Sequence, residues 1–158
     1  MITKKFITQM SYEVVGCAIE VHKTLGPGLL ESVYEKCFVQ ELILNGFRVE
    51  SQIIIPIEYK GLQLDANLKL DLLINNLIIV ELKAVEEIHP AYRAQLLTYM
   101  KLMKKPQGLL INFFTSNITK STILLINDYF EELPDWILMI LIKGFLCQML
   151  NIKGFGNF

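Results

Sequence analysis

The stretch KLDLLINNLIIVELKAV, residues 69–85, has the apolar pattern of two β-strands, and three charged residues interrupt that pattern. Asn75-Asn76 in its middle is typical of a hairpin turn between two strands. Antiparallel pairing around that turn would place Asp71 opposite residue 80 or 81. The three charged residues are Asp71, Glu81 and Lys83.

Two of these charged residues are carboxylates that would meet on an apolar sheet. Glu81 and Lys83 are two positions apart and therefore share one face of their strand. Two neighbouring carboxylates repel each other unless a cation lies between them. A hard divalent ion prefers oxygen ligands, and a lysine beside it can orient water or stabilise charge on a phosphate. The alternative is that Glu81 and Lys83 form a solvated salt bridge, which is the more common role of such a pair at a strand end.

The composition indicates a globular protein with one domain-sized core. The chain has 158 residues, of which 53% are hydrophobic and 20% are charged, and this length allows a substantial core. The net charge of −1 gives no general basic surface, so contact with nucleic acid would need a local patch. Widely spaced cysteines without metal-finger spacing, and no signal-peptide or membrane-span pattern, predict a reduced, soluble, cytoplasmic protein. These cysteines, for which buried, inert thiols are expected, are Cys17, Cys37 and Cys147.

Helical and strand patterns follow one another along the chain. The predicted helices span residues 5–24, 29–44, 90–104 and 134–150. The predicted strands span residues 48–59, 62–74, 77–83, 108–115 and 121–128. Pro56 predicts that the first strand lies at a sheet edge or is bulged. Together these elements predict an α/β (α+β) fold in which helices flank a mixed central sheet.

This arrangement resembles the restriction-endonuclease-like core of the PD-(D/E)xK nuclease superfamily. Asp71, followed after a hairpin by Glu81-Leu82-Lys83, matches its motif, and the order helix, three strands, helix, strand matches its topology. Upstream, residues 28–34 read G-x-x-E-x-x-Y, the signature of the GxxExxY family, which is assigned to that superfamily by similarity. The resemblance extends over residues 12–127, most of the chain.

The resemblance implies a divalent-metal-dependent nuclease that hydrolyses phosphodiester bonds of nucleic acid, with DNA as the expected substrate. It implies that Asp71 and Glu81 bind Mg²⁺ or Mn²⁺, with a further oxygen from the Leu82 carbonyl. Lys83 corresponds to the catalytic lysine. Glu31 corresponds to a helix glutamate near the metal; its alternative is a first-turn glutamate favoured by the helix dipole. The rival function is a non-catalytic binding or interaction module on the same fold.

Three further residues are candidates with structural alternatives. Gln95 and Tyr99 are four apart and resemble the Q-x-x-x-Y pair that lines the site in the RecB-like branch, although a core Tyr beside a solvated Gln has the same spacing. His22 precedes the glycine turn and is either a metal ligand, a partner of one, or structural. Leu70 stands where the superfamily name has Pro, and Lys69 where relatives have Arg, which weakens the expected phosphate contact.

The chain is expected to divide at residue 127. Residues 1–127 would form the nuclease-like domain. Residues 128–158 lie outside the family pattern and contain an apolar helical pattern. We expect this extension to pack on the same domain or on a second copy in a homodimer.

Overall fold

The structure is a computed structural model that describes residues 1–64 and 68–135. Its helices are α1 (Lys4–Leu25), α2 (Glu31–Leu44), α3 (Pro90–Leu102) and the short α4 (Ile118–Ser121) and α5 (Asp128–Glu131). Its strands are β1 (Val49–Ile54), β2 (Ile57–Tyr59), β3 (Leu62–Leu64), β4 (Lys69–Ile74), β5 (Ile78–Lys83), β6 (Gln107–Asn112) and β7 (Thr122–Ile126).

Five of these strands form one mixed sheet in the order β1-β4-β5-β6-β7. β5 and β6 run parallel, and α3 forms the crossover that a parallel pair requires. The other neighbouring strands of this sheet are antiparallel. The prediction of a mixed sheet flanked by helices is therefore confirmed.

Helices cover both faces of the sheet. α1 and α2 pack on one face through a buried cluster that includes Val14 and Phe38. α3 packs on the other face through a second cluster that includes Leu96. A Cβ added at Gly108 in β6 would lie 2.7 Å from Met100 Sδ, so α3 approaches β6 closely because residue 108 has no side chain.

The structure differs from the sequence prediction most around Pro56. The predicted strands 48–59 and 62–74 are each divided in two, and β2 pairs with β3 in a separate two-stranded sheet. Pro56 has no N–H to donate to a ladder, which ends the first strand early. β1 lies at the sheet edge, as the proline predicted. Lys60-Gly61 forms the hairpin turn with φ values of 51° and 84°, as a type I′ turn requires.

The three long helices, β6 and β7 overlap their predicted ranges, whereas the short helices α4 and α5 were not predicted. The three long helices begin and end within two residues of their predicted positions. Burial raises the pKa of the Cys17 thiol to about 11, in agreement with the expected inert thiol, whereas Cys37 is only partly buried. Cys147 and the predicted helix 134–150, beyond its first two residues, lie outside the described residues. In the described part, no helix has the length and apolar character needed to cross a bilayer.

Candidate active site

Asp71 lies where β4 and β5 stop pairing through their backbones. The ladder ends with Leu72 opposite Val80, so the next step brings Asp71 opposite Glu81. The Leu82 N–H donates a hydrogen bond to Asp71 Oδ2 at 2.8 Å. The side chain of Asp71 therefore takes the place of a backbone acceptor and is fixed beside the end of β5.

The ammonium group of Lys83 lies among oxygen atoms of the same cluster. Its Nζ is 2.8 Å from Glu81 Oε1 and 2.7 Å from the Leu82 carbonyl oxygen. Glu31 Oε1 is 3.9 Å from Nζ, and the ring centroid of Tyr92 is 5.3 Å away. Burial by itself would lower the pKa of Lys83, but the hydrogen bond and charge of Glu81 raise it above the ordinary value. Lys83 is therefore a protonated, well-held cation at neutral pH.

Glu81 is a buried carboxylate with only one of its oxygens paired in the described part of the chain. The residue is 4% exposed, its Oε1 accepts from Lys83, and its Oε2 has no hydrogen-bond partner there. Burial, followed by the charge of Asp71, raises the pKa of Glu81 to about 7 despite the attraction of Lys83. A buried carboxylate oxygen without a donor is costly, so this arrangement favours an additional cation.

The first residue of α2 brings a third carboxylate to this cluster. Tyr34 fixes the loop before α2, because its hydroxyl donates to the Gly26 carbonyl and accepts from the Leu29 N–H. This places Glu31, the first residue of α2, beside the end of β5. Burial raises the pKa of the Glu31 carboxyl, and the charge of Lys83 opposes that increase.

A fourth carboxylate, Glu35, is absent from the sequence prediction. It follows Glu31 by one turn of α2, and its Oε2 accepts a hydrogen bond from Gln52 Nε2 at 2.9 Å. Burial, followed by the charge of Asp71, raises the pKa of Glu35. The four-residue spacing from Glu31 is the signal that could have identified it, since such residues share a helix face.

The oxygen atoms of the cluster suit a hard divalent cation in their chemistry. Asp71 and Glu81 offer carboxylates, Leu82 offers a carbonyl, and this is the donor set that Mg²⁺ prefers. Within residues 1–64 and 68–135, however, no group of three or more His, Cys, Asp or Glu side chains is arranged to hold a metal ion. Lys83 instead contacts the Leu82 carbonyl and one oxygen of Glu81. Metal binding to those two atoms would require Lys83 to move.

The remaining predicted residues have other partners. Gln95 Nε2 donates to the hydroxyl of Tyr99, which is 2% exposed and belongs to the core cluster under α3. His22 Nε2 donates to the Thr115 carbonyl at 2.8 Å, which ties the end of α1 to the segment after β6. Among the described residues, no hydrogen bond or ion pair joins these three side chains to the carboxylates and lysine above.

A mixed sheet in which Asp71 lies beside a Glu-x-Lys pair at the end of the central hairpin is consistent with the fold of the PD-(D/E)XK nucleases. Residues 8–123 match the profile of the PD-(D/E)XK nuclease superfamily, and the chain belongs to that superfamily. This membership suggests nuclease activity and binding of nucleic acid, and nucleases of the superfamily generally use divalent metal ions. Comparisons with curated proteins and with solved structures gave no match.

Proposed function

We propose that the chain is a Mg²⁺- or Mn²⁺-dependent nuclease that hydrolyses phosphodiester bonds of nucleic acid, with DNA as the substrate. The observation that carries the proposal is Glu81, a buried carboxylate whose Oε2 has no partner in the described residues. Asp71 and Lys83 lie directly beside it. Buried charges are expensive, and strongly raised carboxyl pKa values concentrate at functional sites.

Each residue of the cluster has a distinct role in this proposal. The metal would be held by Asp71, Glu81, the Leu82 carbonyl and Glu31. When bound, the ion supplies Lewis acidity and lowers the pKa of a water molecule. Lys83 then donates hydrogen bonds to the substrate phosphate and stabilises the negative charge that develops there. Its raised pKa keeps it protonated at neutral pH, which favours this role over proton abstraction.

The charge balance of the cluster supports a divalent cation. The carboxylates of Glu31 and Glu81 both have raised pKa values, with burial as the first cause and the charge of Asp71 as a further one. Lys83 balances one of these negative charges. A divalent ion would balance most of the remainder and relieve the mutual repulsion.

The net charge of −1 favours a second candidate, a non-catalytic binding or interaction module on the same fold. Nucleic-acid affinity at physiological salt depends on several Lys or Arg contacts to phosphates, about six or more for tight binding. Lys69, exposed two residues before Asp71, would supply one of these contacts. A nuclease with this surface would depend on a partner protein to reach its substrate.

We also propose the branch of the superfamily to which the chain belongs and the role of its C-terminal residues. Residues 28–34 support membership of the GxxExxY branch, since Tyr34 orients the loop that presents Glu31. We assign residues 1–127 to the nuclease domain and residues 128–158 to an extension that packs on it or forms a homodimer.

Three further residues belong to the site proposal. Gln95 and Tyr99 are proposed to line the substrate site, and His22 to act as a metal ligand. In the structure each is bonded elsewhere. If these roles are correct, the alanine variants of Gln95 and Tyr99 should bind substrate more weakly, and His22→Ala should bind Mn²⁺ more weakly.

Calorimetric titration of Mn²⁺, followed by incubation with labelled single- and double-stranded DNA, tests the proposal. The proteins are the wild type, Asp71→Ala, and Asp128→Ala as an exposed control remote from the cluster. We expect the wild type and the control to bind Mn²⁺ and cleave, and Asp71→Ala to do neither. Binding without cleavage would indicate a missing partner or an untested substrate. Absence of binding by the wild type would make the interaction module the leading function.

A further inference from the structure

Side chains change faces in the outer part of the sheet, at the level of Asp71. In a regular strand, residues two apart point to the same face. Leu72 nevertheless belongs to the core cluster under α1 and α2, and Leu70 belongs to the cluster under α3. In β1, Val49 packs against the first cluster and Ile53 against the second, although they are four apart. In both strands, therefore, the regular alternation of side chains between the two faces of the sheet is interrupted at the same level.

Gln52 is the residue of β1 at which this reversal occurs. The register, with Ser51 opposite Leu72, places Gln52 opposite Asp71. Its φ is 55°, in the left-handed region that is unfavourable for a residue with a Cβ and that Gly or Asn usually occupies. Such a conformation persists only where its surroundings hold it, and it is frequent at functional sites.

Glu35 of α2 makes a contact that can stabilise this conformation of Gln52. Gln52 Nε2 donates to Glu35 Oε2 at 2.9 Å, so the hydrogen bond joins α2 to the edge strand beside Asp71. Glu35 lies on the same face of α2 as Glu31, one turn further along. The charge of Asp71 contributes, after burial, to the raised pKa of Glu35, which agrees with their proximity.

We propose that Gln52 and Glu35 are positioning residues for Asp71. Their hydrogen bond maintains the left-handed conformation of Gln52, and the reversal that results turns the Asp71 carboxylate into the gap between β4 and β5. There it accepts the Leu82 N–H, whereas in a regular strand the side chain would stand perpendicular to the sheet. The inference rests on the proposed function insofar as Asp71 is a metal ligand.

Two substitutions at residue 52 separate its backbone conformation from its side chain. Gln52→Val introduces a β-branched residue that resists positive φ, whereas Gln52→Gly adopts it freely. Ser51→Val is the control on the same strand. Hydrogen exchange of the Leu82 amide, measured by NMR without metal, reports the contact with Asp71. We expect exchange about tenfold faster in Gln52→Val and little changed in the other two. Unchanged protection in Gln52→Val would overturn the proposal.

Substitutions of Glu35 test the hydrogen bond itself, and they also decide the matter if Gln52→Val does not fold. Glu35→Gln keeps an acceptor for Gln52 without the charge, and Glu35→Ala removes both. We expect Mn²⁺ affinity about 10- to 100-fold weaker in Glu35→Ala and near wild type in Glu35→Gln. Glu35→Ala should cause no further loss in a Gln52→Gly background, because glycine needs no support. Glu41→Ala, later in α2, is the control.

The outcomes distinguish this inference from the proposed function. Equal losses in Glu35→Ala and Glu35→Gln would show that the charge of residue 35 matters and its hydrogen bond does not, which overturns the inference. Failure of the wild type to bind Mn²⁺ would contradict the proposed function. In that case Leu82 exchange, compared between the wild type and Glu35→Ala, still tests the positioning of Asp71 without metal.

Discussion

Replacing Glu81 with glutamine removes a buried negative charge and keeps the size of the side chain. In the folded protein, burial and then the charge of Asp71 raise the pKa of Glu81 to about 7, from an ordinary value of 4.5. Between these two pH values the folded protein holds a proton that the unfolded chain has released. The free energy of unfolding of the wild type must therefore fall as the pH rises through this range. Glu81→Gln resembles the protonated form and escapes this loss.

The expected size of the effect follows from the two pKa values, about 7 and 4.5. Each pH unit between them corresponds to about 1.4 kcal/mol, which gives about 3 kcal/mol above pH 7. The attraction of Lys83 is already part of the raised pKa, and a glutamine oxygen still accepts a hydrogen bond from Nζ. Glu81→Gln should therefore be more stable than the wild type at high pH, with the difference disappearing towards pH 4.5.

Urea unfolding of metal-free protein at about pH 5 and about pH 8 measures this difference. Glu50→Gln is the matched control, because the Glu50 side chain in β1 is 41% exposed and its change should stay within about 0.5 kcal/mol. Saturating Mn²⁺ should stabilise the wild type but not Glu81→Gln, since a ligand stabilises the state that binds it. If Glu81→Gln is no more stable than the wild type at the higher pH, the charge of Glu81 does not destabilise the folded protein.

The remaining predictions concern the loop before α2, the contact between α3 and β6, and the pH dependence of metal binding. Tyr34→Phe leaves two backbone groups unpaired and should lower the free energy of unfolding by about 1–3 kcal/mol; Tyr12→Phe, at a residue 78% exposed, should not. Gly108→Ala should destabilise by about 1–3 kcal/mol through overpacking, whereas Gly16→Ala, in open space on α1, should stabilise by about 1 kcal/mol; urea unfolding measures all four variants. Mn²⁺ affinity, measured by calorimetry across pH, should increase as the pH rises towards and through about 7, because Glu81 must lose its proton. A pH-independent affinity would contradict that role.

The sequence was most informative where a pattern is long or a motif is local. Helical periodicity located α1, α2 and α3, and the hairpin at Asn75-Asn76 predicted residue 80 or 81 opposite Asp71, where the structure has Glu81. The division of strands around Pro56 was missed because the apolar pattern continues across it, although the proline indicated an edge. Sequence patterns of this kind describe one element at a time. They therefore predict the secondary structure of an element better than its tertiary contacts.

Gln52 and Glu35 show the physical limit of sequence patterns. Glutamine is not a residue that favours positive φ. The sequence of β1 therefore does not predict that its side chains change faces at Gln52. Glu35 shares a helix face with Glu31, but its partner is 17 positions away in sequence. Both residues acquire their significance from the packing of α2 against the edge strand, which arises only in the folded chain.

Two interpretations of Glu81 and Lys83 were open from the sequence, a solvated salt bridge and part of a metal site, and the burial of the two side chains bears on both. A solvated salt bridge would leave both side chains in water, whereas the side chains of Lys83 and Glu81 are 12% and 5% exposed. A buried ion pair is weak evidence for stability, because desolvation offsets much of the Coulombic gain. Here the raised pKa of Glu81 shows that its attraction to Lys83 does not outweigh burial and the charge of Asp71. The buried charge of Glu81 is therefore unfavourable in the metal-free protein above about pH 7. Binding of a divalent cation, as proposed above, would relieve the repulsion among the carboxylates and release Lys83 towards a phosphate.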